Sequence, residues 1–192
     1  ETRTLKAHLS DQTPFHIDLE KMLTGNVNAA CFAAFTDDLG GAHPSNSAIA
    51  SLIAALEETI AHSNGKLVKA YTFSTLQDAV AHHIPVAIQT IEGAYGVDEV
   101  NAIPLLQQYH DWGVKAITLV WNHSNALGNG TLKTTYLGEA VTHGLTALGK
   151  RFIAEMHRLK MLVDVSHMDE RTFWDVIDHA SFPIIASHSG AY

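Results

Sequence analysis

Met161-Leu162-Val163-Asp164-Val165-Ser166-His167 is the stretch on which the fold turns. It is an almost continuous apolar run of strand length, as expected for a strand covered on both faces. On its N-terminal side, Thr146 to Lys160 carries Leu148, Phe152, Ile153, Met156 and Leu159 at helical spacing. On its C-terminal side, Asp169 is placed to cap a helix bearing Phe173, Val176 and Ile177, and Pro183 to Ser187 is again an apolar strand. The same rhythm extends toward the N-terminus. Lys115 to Val120, Pro85 to Ile91, Leu67 to Phe73 and Asn26 to Thr36 read as strands. Between them lie a predicted helix from Asp98 to Trp112, interrupted by Pro104, and a short one opened by the capping-box spacing of Ser74-Thr75-Leu76-Gln77 and ending at His83. A further helix runs from Ser47 to Asn64, with Gly65 as its left-handed cap. Trp121 to His143 has no clean period and reads as a long loop, a feature that in compact domains is usually functional or mobile. Six strands alternating with helices predict an α/β fold with a parallel sheet. Two layouts compete, a doubly wound open sheet and a (β/α)8 barrel, and the absence of either Gly-rich phosphate loop weakens the first.

Composition narrows the function. With 192 residues, the chain fits one domain and can bury a substantial core. Hydrophobic residues at 46% and charged residues at 17% exclude a disordered chain. No apolar run approaches the roughly 18 residues of a membrane-spanning helix. The net charge of −8, without clustered Lys or Arg, argues against a nucleic-acid partner. Thirteen histidines favour metal chemistry without locating it. The one cysteine, Cys31, excludes an intrachain disulfide. Within Ala29-Ala30-Cys31-Phe32-Ala33 it is expected to be a small buried hydrophobe, and its solitude favours a reducing compartment, hence a cytoplasmic location. The first residue is Glu1 rather than Met, so the start reads as a processing boundary or a cut, and a removed leader stays open.

Three predicted strands end in a metal-ligating residue. Ile88-Gln89-Thr90-Ile91 leads into Glu92-Gly93, Val163-Asp164-Val165-Ser166 into His167, and Ile184-Ile185-Ala186-Ser187 into His188. The C-terminal ends of parallel strands meet at one face, where active sites of such folds lie. One carboxylate and two imidazoles there can hold Zn²⁺ and leave a position for water. The alternative for each histidine is a strand-end side chain hydrogen-bonded to a neighbouring loop. Asp164 and Ser166 alternate with apolar neighbours and are candidates for orienting the ligands.

Further stretches add a resemblance. Gly144-Leu145-Thr146, Gly149-Lys150-Arg151, Glu155-Met156-His157-Arg158-Leu159, Asp164-Val165-Ser166-His167 and Ser187-His188-Ser189-Gly190-Ala191-Tyr192, in this order, resemble the membrane (renal) dipeptidase family. Ile91-Glu92-Gly93 and Gly113 through Asn125 resemble two more of its motifs, so the likeness covers essentially the whole chain. It implies a dinuclear zinc peptidase on a (β/α)8 barrel that hydrolyses dipeptides through a metal-bound hydroxide. By the resemblance, Glu92 is the bridging and catalytic carboxylate, and His167 and His188 are the imidazoles of the second zinc. The family's substrate-contacting histidine falls at Trp121. His123, two residues on, is its candidate catalytic replacement, and Trp121, Asn122 and Tyr192 are candidate substrate contacts. A homodimer is one assembly the resemblance suggests.

The departures are informative. His16-Ile17-Asp18 has the form of the family's first-zinc H-x-D motif, but its flanks are not a buried strand and it precedes Leu19-Glu20-Lys21-Met22, which the family places after the first strand. It is read as a decoy. The true motif is expected upstream of Glu1, and the substrate-binding Arg and a late Asp beyond Tyr192. Only one zinc site is therefore expected to be complete within these residues, as in a barrel lacking its first and last strands. Two other readings stay open: a non-catalytic or truncated dipeptidase-like protein, and a barrel amidohydrolase acting on a cyclic amide. His62, His82, His83, His110, His157 and His179 are expected on helices or at their ends, and His8, His43 and His143 in loops.

Overall fold

The computed structural model describes residues 16–37 and 42–190. Strand and helix alternate through them: α1 (Leu19–Thr24), β1 (Ala29–Phe35), α2 (Ala42–His62), β2 (Val68–Lys69), α3 (Phe73–Ala81), β3 (Val86–Glu92), α4 (Ala102–Asp111), β4 (Ala116–Thr118), α5 (Ala147–Arg158), β5 (Leu162–Asp164), α6 (Glu170–His179) and β6 (Ile184–Ile185). All six predicted strands are present, and the register between them is parallel wherever it is defined.

The chain forms two compact units, one from the described residues up to 33 with 50–89, the other from 34–49 with 90 onward. In the first, β2 pairs with the start of β3 (Val68↔Val86, Lys69↔Ala87), and Val86 N–H donates to Asn28 O. Its interior holds Leu19, Leu56, Leu67 and Ala87 with Phe32 and Ile60 against them, and a second group of Ala70, Ala79 and Val86. In the second unit the end of β3, then β4, β5 and β6 lie side by side. Every residue of β4 is buried, as the apolar runs predict for strands covered on both faces. Helix α5 buries Phe152, Ile153 and Met156 almost completely, each contributing about 1.5–3 kcal/mol.

Several local expectations are corrected. Cys31 is exposed rather than buried. Strand β1 alternates, with Ala30, Phe32 and Ala34 on the more buried side and Ala29, Cys31, Ala33 and Phe35 outward, so the residue's parity outweighs its apolar neighbours. His43 lies in the first turn of α2 rather than in a loop, because α2 begins at Ala42, ahead of the expected Ser47, and Pro44 is tolerated where the N–H has no helical partner. Helix α3 is capped by Thr72, whose Oγ1 accepts from Thr75 N–H at 3.1 Å, not by Ser74. Helix α4 starts at Ala102, since Asp98 closes a separate turn by accepting from Val100 and Asn101 N–H at 2.8 Å. Pro104 thus falls in the first turn and breaks no helical bond. Helix α1 was not expected. Its cap is Asp18, which is buried, accepts from Lys21 N–H at 2.8 Å and pairs with Lys21 Nζ at 3.0 Å. The aspartate of the H-x-D look-alike is thereby given a structural task.

Candidate metal centre

Parallel register lines up four strand ends in the second unit. Glu92 pairs with Thr118, Thr118 with Asp164, and Asp164 with Ile185. Each strand then turns away differently. After β3, Gly93 adopts φ +86°, and a Cβ there would run into the Thr36 carbonyl oxygen, so only glycine fits behind Glu92. After β5, Asp164 Oδ1 accepts from Ser166 N–H at 3.1 Å, and His167 takes a left-handed φ of +67°. A β-carbon in that region costs of the order of 1 kcal/mol and is held by its surroundings. Here Thr131 N–H donates to His167 O at 3.0 Å, and Gly130 bridges to Met168. The long loop expected from Trp121 to His143 is thus stitched to the turn that aims His167.

Three side chains converge. Glu92 Oε1 lies 3.1 Å from His167 Nε2 and 3.4 Å from His188 Nε2, and the two imidazole nitrogens are 2.7 Å apart. Two ligand atoms on one tetrahedral Zn²⁺ stand roughly 3.3 Å apart, from bond lengths of about 2.0–2.1 Å. The two carboxylate–imidazole separations match that spacing, and the imidazole pair sits at hydrogen-bond distance. Two imidazoles and one carboxylate are the donor set of a three-ligand zinc site with an open position, so the residues fit the ion. Glu92 and His167 are about four-fifths covered, whereas His188 is half exposed, leaving the cluster approachable from solvent.

Behind the cluster sits Asp164, 4% exposed. Its Oδ1 accepts from Ser166 Oγ at 2.8 Å and Ser187 N–H at 3.0 Å, and its Oδ2 from Thr118 Oγ1 at 2.7 Å and Ser187 Oγ at 2.5 Å. Burial alone would raise its pKa. The hydrogen bonds from Ser187, Thr118 and Ser166 outweigh burial and hold the carboxyl below its ordinary value. Asp164 and Ser166 therefore sit where residues orienting the ligands are expected, with Ser166 Oγ accepting from His188 N–H at 3.2 Å.

Trp121 packs edge-on to Phe35 at 5.0 Å and lies 6.1 Å from the His167 ring, beside the cluster. His123 is not among the converging side chains: its Nδ1 lies 3.4 Å from Thr134 Oγ1 and its ring 5.4 Å from Tyr136. Asn122 is half-buried, and its carbonyl accepts from Leu132 N–H. Tyr192 and His8 lie outside the described residues. Sequence reasoning missed Ser187, Thr118 and Tyr95. Tyr95 donates to His123 O at 2.6 Å and accepts from Trp121 N–H at 3.2 Å, holding this loop segment, and no spacing announces it. Ser187 had a signal, as the residue before His188. The remaining histidines are local: His62, His82 and His179 meet carbonyls one turn back, His110 meets Asp111, and His143 its neighbour's carbonyl. His157 faces Ser181 and Phe182, and burial holds its pKa low.

Comparison with known proteins places this geometry in a family. The profile of the membrane dipeptidase family (Peptidase family M19) matches residues 1–192. An uncharacterised protein of the pqqA 5′ region of Klebsiella pneumoniae is 36% identical over 141 residues, which is 73% of this chain and 51% of that protein. An uncharacterised dipeptidase of Schizosaccharomyces pombe is 40% identical over 102 residues, 53% of this chain and 24% of the other. A metallopeptidase of Rhodobacter sphaeroides, solved with a phosphinate mimic of the dipeptide L-Ala-D-Ala, superimposes with a TM-score of 0.82 at 23% identity, covering 95% of this chain and 58% of its own. The chain thus spans about half or less of these curated relatives' lengths, and the likeness to the solved peptidase shows a shared α/β barrel architecture. With residues 1–192 matched by that profile, the chain belongs to the membrane dipeptidase family.

Proposed function

We propose that this protein is a zinc-dependent dipeptidase, and the observation that carries the proposal is the meeting of Glu92, His167 and His188 at the C-terminal ends of β3, β5 and β6. These three residues would hold the ion. When bound, zinc supplies Lewis acidity toward a scissile carbonyl and lowers the pKa of its water to about 7, giving hydroxide at neutral pH. Glu92 presents its carboxylate to both imidazoles and is the group to take up the proton of the attacking water. Trp121 forms an apolar wall beside His167, with Asn122 and His123 following it on the substrate side, and Tyr192 is proposed as a further contact. The dipeptide mimic bound by the Rhodobacter peptidase supports a dipeptide substrate, with a D-residue on the C-terminal side as one form. One zinc, held by these three residues, is proposed within this chain, and a cytoplasmic location and a homodimer complete the proposal.

Metal analysis and thermal unfolding of the purified protein test it. At zinc a hundredfold above its Kd, binding should stabilise the fold by about 2.7 kcal/mol, and this gain should vanish in His167→Ala and His188→Ala. Zinc-loaded protein should release alanine from L-Ala-D-Ala and leave a dihydro-ring amide intact. Absence of zinc binding would overturn the metal centre. Zinc binding with hydrolysis of only the ring amide would replace the dipeptidase reading with the amidohydrolase one.

A further inference from the structure

We infer that Ser187 is a positioning residue that fixes the tautomer of His188, drawing the ring proton onto Nδ1 and leaving Nε2 bare toward Glu92 and His167. The inference follows from counting hydrogens around Asp164. Its carboxylate is an acceptor at both oxygens. The Ser187 Oγ to Asp164 Oδ2 contact of 2.5 Å must therefore carry the one proton that the serine hydroxyl owns. The same oxygen lies 2.8 Å from His188 Nδ1. With its proton already committed, Ser187 can only accept there, so Nδ1 is the donor. A neutral imidazole carries one N–H, so His188 Nε2 is then a lone pair, and in the metal-free protein it accepts from His167 Nε2 across their 2.7 Å contact.

The neighbouring groups close the alternatives. Thr118 Oγ1 donates to Oδ2 at 2.7 Å, and Ser166 Oγ and Ser187 N–H donate to Oδ1 at 2.8 and 3.0 Å, so the carboxylate cannot swing away and release the serine. Ser166 spends its own proton on Asp164, so it has none to give at its 3.3 Å contact with Ser187 Oγ, and of His188 it meets only the backbone N–H, so it cannot set the ring. Free imidazole side chains favour the Nε2–H form, which would put a proton where a metal needs electrons. A hydroxyl without Asp164 could turn and donate to Nδ1, enforcing that wrong form. Asp164 thus acts on His188 through Ser187, and the relay Asp164–Ser187–His188 does what a direct carboxylate–imidazole contact does at other metal sites.

The consequence for zinc rests on the metal-centre reading above, whereas the tautomer does not. Long-range ¹⁵N–¹H correlation spectra of the metal-free protein, with the His188 signals assigned by their loss in His188→Gln, read the tautomer directly. Wild type should show Nδ1–H and a bare Nε2. Ser187→Ala should move toward Nε2–H and weaken zinc binding by about 10–100-fold, the usual cost of losing an outer partner of a metal-bound histidine. Ser187→Thr, which keeps the hydroxyl, should restore both. Nε2–H on His188 in wild type would overturn the inference without any variant, as would unchanged zinc affinity in Ser187→Ala. If wild type shows Nδ1–H but binds no zinc, the tautomer inference stands and the metal reading falls.

Discussion

Replacing Gly93 by alanine tests why a glycine must follow Glu92. An L-residue at φ +86° costs about 1 kcal/mol before any contact is considered. The new Cβ would also meet the Thr36 carbonyl oxygen well inside the 3.0 Å below which such atoms are essentially never found. Neither partner can retreat freely. Thr36 N–H donates to Glu92 O at 3.0 Å, and Gly93 N–H donates to Thr118 O at 3.0 Å. Relieving the overlap means losing one or both bonds, at about 1 kcal/mol each. The sum is about 3 kcal/mol, or a fall in Tm of roughly 6–12 °C for a chain of this size. Gly65→Ala is the matched comparison, since Gly65 has φ +81° with nothing within 4 Å of its virtual Cβ, and should cost only the conformational part, about 1 kcal/mol. Equilibrium urea unfolding of both variants measures the difference, and a zinc titration of Gly93→Ala should show weaker binding because the Glu92 peptide moves with it. If Gly93→Ala is no less stable than Gly65→Ala, the close approach to Thr36 is not what demands glycine.

Asp164→Asn leaves one amide nitrogen facing hydroxyl donors and should cost about 2–4 kcal/mol at neutral pH. The pH dependence has a definite sign. The folded carboxyl titrates below the ordinary 3.8, so its contribution is complete above that value and is lost as pH falls through the lower folded one. Urea midpoints of wild type measured downward from pH 5 should therefore drop more steeply below about pH 4 than those of the asparagine variant, and parallel curves would refute it. Tyr95→Phe removes the hydroxyl joining Trp121 N–H to His123 O and should lose about 1–2 kcal/mol in the same unfolding assay, with an effect on KM exceeding that on kcat. Phe152→Ala, at a fully buried position of α5, should lose about 3–5 kcal/mol, and a loss under 1 kcal/mol would mean that the helix is not packed as described.

How much of this was legible in the residues depends on the range of the interactions concerned. Alternation of apolar runs and helical patterns is local, so the order of strands and helices from β1 onward and their parallel pairing followed from sequence. Glu92, His167 and His188 were legible for a related reason. Each closes or follows an apolar strand, and parallel strands bring such ends together whatever the loops do. Capping choices were less legible, because Thr72 and Ser74 offer similar hydroxyls and only the path of the chain selects one. The side on which Cys31 points was not legible either, since a strand's parity is set by what packs against each face.

The sequence by itself determined the class of fold, the carboxylate-and-imidazole composition of the centre, and the resemblance that the matched profile now makes a membership. These depend on residue types at short separations along the chain. Only the tertiary structure decided that Asp18 is spent on capping α1, that His123 faces Thr134 and Tyr136 instead of the converging ligands, and that Ser187 joins Asp164 to His188. In each of these the partner is selected by the path of the chain, from three residues on at Asp18 to 23 residues away for Ser187 and Asp164. A side chain's protonation and aim are fixed by the donors and acceptors around it, and those are assembled only when the strands stand side by side.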